Sequence, residues 1–217
     1  MSMMWMRMPG QTWLDVVASF LAAWIGMMAV MMLPSLVPML RRYRYAVAAT
    51  AEARLGCLIA LVASGYFFVW TAIGMSAFPL GAAISAIEMQ QPAVARAIPI
   101  AAGVVVLLAG ALQFSAWKSH HLTCCREMPA HGTTLTAGAG AAWRHGLRIG
   151  FHCGCSSAGL TAILFAVGMT DLRAMAIVTA AITIERLAPA GERAARAIGV
   201  VAVGAGLLLI ARASGLA

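Results

Sequence analysis

Of 217 residues, 62% are hydrophobic and 10% are charged, where a water-soluble domain carries roughly 45–50% and about 25%. That balance excludes an ordinary soluble globular protein and predicts an all-α polytopic transmembrane bundle, a single integral membrane domain over residues 1–217. The net charge of +8 would suit nucleic acid in a soluble protein. Here the lysines and arginines fall in short stretches between apolar runs, where they set topology, so the lipid bilayer and not nucleic acid is the expected partner.

In chain order, hydropathy predicts about six spans, near 13–40, 55–78, 98–117, 149–169, 172–187 and 197–213, each at or near the length that crosses hydrocarbon. The first run is too long for a cleaved signal and ends in "MMLPSLVPML" instead of a small-residue cleavage site, so it is expected to remain in the mature chain. Pro34 and Pro38 are expected to bend or loosen its end. Between spans two and three, "FPLGAAISAIEMQQPAVARAIP" is bounded by Pro79 and Pro99 and suits an interfacial or partly re-entrant helix. Between spans three and four, "TTLTAGAGAA" at 133–142 reads as a flexible loop. Trp13, Trp70 and Trp117 fall near span ends and suit the aromatic belt.

Basic residues separate by side. Arg41, Arg42, Arg44, Arg54, Lys118, Arg126, Arg144, Arg148, Arg186, Arg193 and Arg196 fall on one side, and Arg7, Arg96, Arg173 and Arg212 on the other. Because cytoplasmic loops carry the excess, both termini are expected outside a bacterial inner membrane. The soft donor atoms then gather at the cytoplasmic ends of their helices.

Three stretches carry metal-ligand chemistry. In "RIGFHCGCSS", residues 148–157, His145, Arg148, His152 and Cys155 share one helical stripe while Cys153 points elsewhere. A chelating Cys-x-Cys would therefore require a loop or a frayed first turn. The competing reading is a packing stripe of Gly150, Gly154 and Ala158 with the cysteines as small buried apolar residues. In "KSHHLTCCREMP", residues 118–129, a continued helix lets His120 reach Cys124 and His121 reach Cys124 or Cys125; the alternatives are solvated loop residues or palmitoylated cysteines. In "WIGMMAVMMLPSLVPM", Met27 and Met31 share a face, as do Met28 and Met32. Thioether sulfur suits Cu(I), although methionine at this spacing also fills helix interfaces.

Glu185 is the acid near the end of the fifth span, and an intramembrane charge is a functional candidate. It is expected to be a metal ligand, a proton acceptor or a partner of Arg186 or Arg148. Gln113 in the third span suits an interhelical hydrogen bond. No Walker A loop, dinucleotide fingerprint, HExxH, G-x-S-x-G or Cys-x-x-Cys is present, so a non-enzymatic role is favoured and no catalytic residue is assigned. An odd count of five cysteines, two pairs of them close-set, does not suit a disulfide framework.

Taken together, "WIGMMAVMMLPS", Gln113 with Lys118, "CREMP", "GFHCGC", "GMTDL" and the Glu185–Arg186 pair resemble the bacterial family of domain of unknown function 2182, described as predicted metal-binding integral membrane proteins. These pieces run from about residue 24 to 190. Two positions depart from the family pattern: His121 stands where it tends to carry cysteine, and Ser156 where it tends to repeat cysteine after Cys-x-Cys. The first exchanges one ligand type for another and the second removes a thiol.

The leading expectation is a membrane metal-handling protein, whether metallochaperone, assembly factor or transporter. It would bind a soft ion through Cys153, Cys155, His152, Cys124, Cys125, His121, His120 and His145, with Met27, Met31 and Glu185 as further candidates. Copper(I) is favoured and zinc second, and the expected partners are membrane proteins or a metalloenzyme that receives the metal. A polar route through the bilayer is scant, which favours delivery over pumping. The alternative is a noncatalytic accessory subunit of a larger membrane complex, contacting lipid, quinone or pigment. A thiol redox enzyme is a third reading, without the usual motif.

Overall fold

A computed structural model describes residues 10–47, 54–127, 138–169 and 171–215. Arg7, Met128 and Pro129 of "CREMP", the 133–137 part of the glycine-rich stretch and Thr170 lie outside the described residues. The described chain is all helical: α1 Trp13–Val47, α2 Leu55–Gln90, α3 Pro92–Leu112, α4 Ala116–Glu127, α5 Ala139–Val167, α6 Leu172–Leu187 and α7 Gly191–Ala213.

Local chemistry accounts for several boundaries. Thr12 and Asp15 form a reciprocal cap at the start of α1, the Thr12 amide donating to Asp15 Oδ2 at 2.8 Å and the Asp15 amide to Thr12 Oγ1 at 3.3 Å. Gly168, with φ of 127°, ends α5 in a conformation that a side chain would resist. Asp171 then accepts from the Arg173 and Ala174 amides and starts α6. The "GMTDL" piece thus contains a helix stop and a helix start.

α1, α2, α5 and α7 are each long and apolar enough to span a membrane. A fifth span exists if the Arg96–Leu112 part of α3 and α4, bent by 65° at a short break, count as one broken span. The expected six therefore reduce to four or five on these criteria. α6 has 16 residues, about 24 Å of helix, short of the hydrocarbon thickness. The expected separate helix between spans two and three is absent: α2 runs on through Pro79 to Gln90, and α3 begins at Pro92 and contains Pro99. Pro34 and Pro38 lie inside α1, which continues to Val47.

α5 is the central element, packed on α2, α3, α4 and α6, while α1 lies on α2 and α6, and α7 on α3 and α6. In the most apolar part of α5, 56% of residues are buried, against 22–33% in the other three long helices. Glycine makes the α2–α5 approach possible. A Cβ on Gly65 would stand 2.7 Å from the Trp143 carbonyl oxygen, and one on Gly146 would meet the Val62 carbonyl, the close backbone contact typical of small residues between membrane helices. Trp70 is not a belt residue: it is 1% exposed, and its carbonyl accepts from Trp24 Nε1 at 2.8 Å. Trp13 and Trp117 are exposed. So are Val30, Val37, Phe68, Leu108, Ile177 and Val201, an outer surface suited to lipid and too apolar for water.

Gly146→Ala is expected to destabilise the fold by about 1–3 kcal/mol, because the obstacle is backbone and cannot turn aside. Gly204→Ala, in open space on α7, is expected to stabilise it by up to about 1 kcal/mol. Thermal unfolding in detergent compares the two.

Candidate metal centre

α4 exists because the chain breaks after α3 and restarts: Ser115 Oγ accepts the Lys118 amide at 3.1 Å, capping the new helix. Its buried residues are Lys118, His121, Leu122 and Cys125, a spacing of three, four and seven that forms one inward stripe. Across from it, α5 buries Ile149, Gly150, Cys153, Gly154, Ser156 and Ser157. A cation, an imidazole and two thiols thus reach the interior from two packed helices.

The deepest part of this interface is charged. Lys118 Nζ pairs with Glu185 Oε2 at 2.7 Å, with side chains 4% and 3% exposed, and also donates to the Ser156 carbonyl. Gln113 lies beside the same carboxylate. Glu185 is thus partnered chiefly by Lys118, which the sequence did not suggest; Arg186 is in electrostatic range but turns to α5. Arg186 Nη2 donates to the Cys153 carbonyl at 3.0 Å and to Ser156 Oγ at 3.1 Å, while Nη1 has no hydrogen-bond partner. Ser156, standing where the resembled family tends to have cysteine, serves here to hold the guanidinium. Cys153 Sγ lies 2.8 Å from Tyr66 Oη, and Cys153, Cys125 and Tyr66 are all in electrostatic range of Arg186.

A second group of donors sits nearer the surface. His121 Nδ1 and His152 Nδ1 are 2.9 Å apart, and the His120 and His152 rings have centroids 6.5 Å apart. One helical turn along α4, Cys124 Sγ lies 3.7 Å from His120 Nε2, the pairing expected from their spacing. His121 is paired with His152 and not with a cysteine. Among the described residues no three or more His, Cys, Asp or Glu side chains converge as a metal cluster. The donors are arranged in twos.

The remaining candidates are elsewhere. Cys153 and Cys155 lie within the continuous helix α5, Cys153 fully buried and Cys155 half-buried, so the loop or frayed turn that a chelating Cys-x-Cys would require is not there, and residues two apart on a helix diverge. His145 stacks on Tyr43 of α1, ring centroids 5.2 Å apart. Met28, Met31 and Met32 share a buried cluster with Cys125 and Cys153, and Met27 packs against it. Tyr66 and Ser156 were not singled out as site residues, since a lone tyrosine in an apolar run and a serine in a small-residue stripe carry no spacing signal. Arg186 was visible only as a neighbour of Glu185.

Glu185→Gln is expected to cost about 3–5 kcal/mol by leaving Lys118 buried without its counter-charge. Replacing both partners, Lys118→Met with Glu185→Leu, is expected to recover most of that stability, because the desolvation cost of both charges vanishes together. Thermal unfolding of both variants checks this.

Neither a search of curated proteins nor one of solved structures finds a match for this chain. The model of one protein family, PpoB2, described as a copper chaperone, matches residues 21–209. That segment includes α2 to α6 whole and every residue of the charged centre and of both donor pairs. The designation differs from the family that the motifs resemble, and it specifies copper where that one specifies metal in general. The chain belongs to the PpoB2 family of copper chaperones.

Proposed function

We propose that this protein takes up Cu(I) where α4 lies on α5 and passes it to a copper-requiring partner at the membrane. The observation that carries this reading is the His121–His152 pair, with nitrogens 2.9 Å apart, beside His120, whose ring is 5.4 Å from that of His121 and which pairs with Cys124 one turn along α4. Copper(I) is content with two ligands, whereas structural zinc asks for four in a tetrahedron. Donors in twos therefore suit copper(I) better than zinc. Both helices present these groups at partial exposure, His121 at 9% and His120 and Cys124 more open, which lets a partner's ligands displace them one at a time.

Placement follows from charge. Arg42, Arg126, Arg186 and Arg193, assigned to one side by the charge count, line one recess of about 780 Å³. Arg126 closes one wall by donating to the Glu185 and Pro189 carbonyls at 3.3 and 3.1 Å. By the rule that basic loops stay inside, this recess faces the cytoplasm of a bacterial inner membrane. Delivery fits better than pumping, because the buried charged residues Lys118, Glu185 and Arg186 occur together and α1, α2 and α7 bury no charged side chain along their described lengths.

His121→Ala and His152→Ala are each expected to lower Cu(I) affinity by at least about tenfold, the loss that even an outer-sphere partner of a ligand brings. His145→Ala, on the Tyr43 side, is expected to leave it unchanged. Anaerobic competition with a chromophoric Cu(I) chelator measures this, and equal affinities in all four proteins would contradict the assignment.

A further inference from the structure

We infer that the arginine-lined recess is a binding site for an anionic phosphate group, whether the headgroup of an acidic phospholipid or phosphate free in solution. The inference is independent of copper and uses none of the histidines or thiols. Arg42 of α1, Arg126 of α4, Arg186 at the end of α6 and Arg193 of α7 converge on this recess from four helices. Glu127 and Glu192 also line it, both of them exposed, which leaves the positive charges in excess.

What these arginines touch is neutral. Arg42 donates to the Arg126 carbonyl, and Arg126 donates to the carbonyls of Glu185 and Pro189 at 3.3 and 3.1 Å. Arg186 donates to the Cys153 carbonyl and to Ser156 Oγ. Among the described residues the one ion pair is Lys118 with Glu185, so no carboxylate neutralises any of the four. Arg186 is the most exacting of them, because it is 5% exposed and its Nη1 has no hydrogen-bond partner. A buried cation with an unused donor is costly inside a membrane protein. An anion in the recess relieves the surplus charge and gives the donor an acceptor.

The backbone adds to the attraction. α7 opens at Gly191 with no side chain capping its first turn, and Gly191, Glu192 and Arg193 of that turn all line the recess. Unsatisfied amides and the positive end of the helix dipole favour an anion at such a place. Glycine is required at the first position, since a Cβ there would run into the Arg126 guanidinium and the Glu185 carbonyl. Phosphate fits this set better than carboxylate does: two of its oxygens can take a guanidinium fork while a third accepts from the helix amides. Leu187, 50% exposed, forms part of the same wall, so an acyl chain attached to the phosphate has an apolar surface to follow. That favours a lipid headgroup, which basic pockets between membrane helices take on the cytoplasmic side.

The test is thermal unfolding of the metal-free full chain in dodecyl maltoside, titrated in one arm with dioleoylphosphatidylglycerol and in the other with sodium phosphate. Net-neutral dioleoylphosphatidylcholine and sodium chloride at matched ionic strength are the respective controls. Wild type is expected to show a saturable rise in unfolding temperature with phosphatidylglycerol and none with phosphatidylcholine. Arg193→Gln is expected to raise the half-saturating concentration about fivefold, and Arg186→Gln at least about tenfold. Arg212→Gln, an equal loss of charge in the last turn of α7, is expected to leave it unchanged. A saturable rise with sodium phosphate alone, carrying the same pattern among the variants, would keep the site and make free phosphate its ligand. Equal effects of the two lipids with no response to phosphate beyond that to chloride would overturn the site. So would equal behaviour of Arg193→Gln and Arg212→Gln. If Arg186→Gln does not fold, Arg193→Gln and Arg42→Gln, both at exposed side chains, decide the point against Arg212→Gln.

Discussion

Three charged side chains share the interior of a bundle whose outer surface is suited to hydrocarbon, and two of them are positive. Burying an ion pair in such a place roughly breaks even when its geometry is good, and Lys118 with Glu185 meets that condition at 2.7 Å. Burying Arg186 beside them does not break even. The packing of α4 and α6 against α5 is organised around that imbalance: Ser156 turns its hydroxyl to the guanidinium, the Cys153 carbonyl faces it, and the thiols of Cys125 and Cys153 stand within its field. The buried centre therefore carries a standing positive surplus.

Coordination number separates zinc from copper. Zinc sites gather three or four donors around a point, and among the described residues no such gathering exists. The donor pairs in contact are imidazole with imidazole and imidazole with thiol. Soft atoms in pairs suit the copper ion that tolerates low coordination, and low coordination leaves open the position through which a receiving protein's ligand attacks. Membership of a copper chaperone family and this arrangement support each other without depending on each other.

Much of the fold was legible in the sequence because hydropathy and length decide which helices can span, and α1, α2, α5 and α7 are apolar along most of their lengths. The count of six was less secure: the sequence cannot show that Ser115 caps a new helix and bends the third span, nor that α6 stops at 16 residues. At the site, helical spacing gave the His120–Cys124 pair and the divergence of Cys153 from Cys155, since both are properties of one helix. Contacts between helices were not legible. The meeting of His121 with His152, and of Lys118 with Glu185, depends on how α4, α5 and α6 cross, which no single-segment periodicity encodes. Trp70 misled for the same reason: its position suited the aromatic belt, but its side chain is buried in the bundle.

The most direct measurement is X-ray absorption at the copper edge on protein loaded anaerobically with less than one equivalent of Cu(I), so that only the tightest position fills. The expected spectrum shows nitrogen neighbours with the outer-shell scattering that imidazole rings produce. A first shell of sulfur alone, without imidazole scattering, would contradict copper held at the His121–His152 pair between α4 and α5.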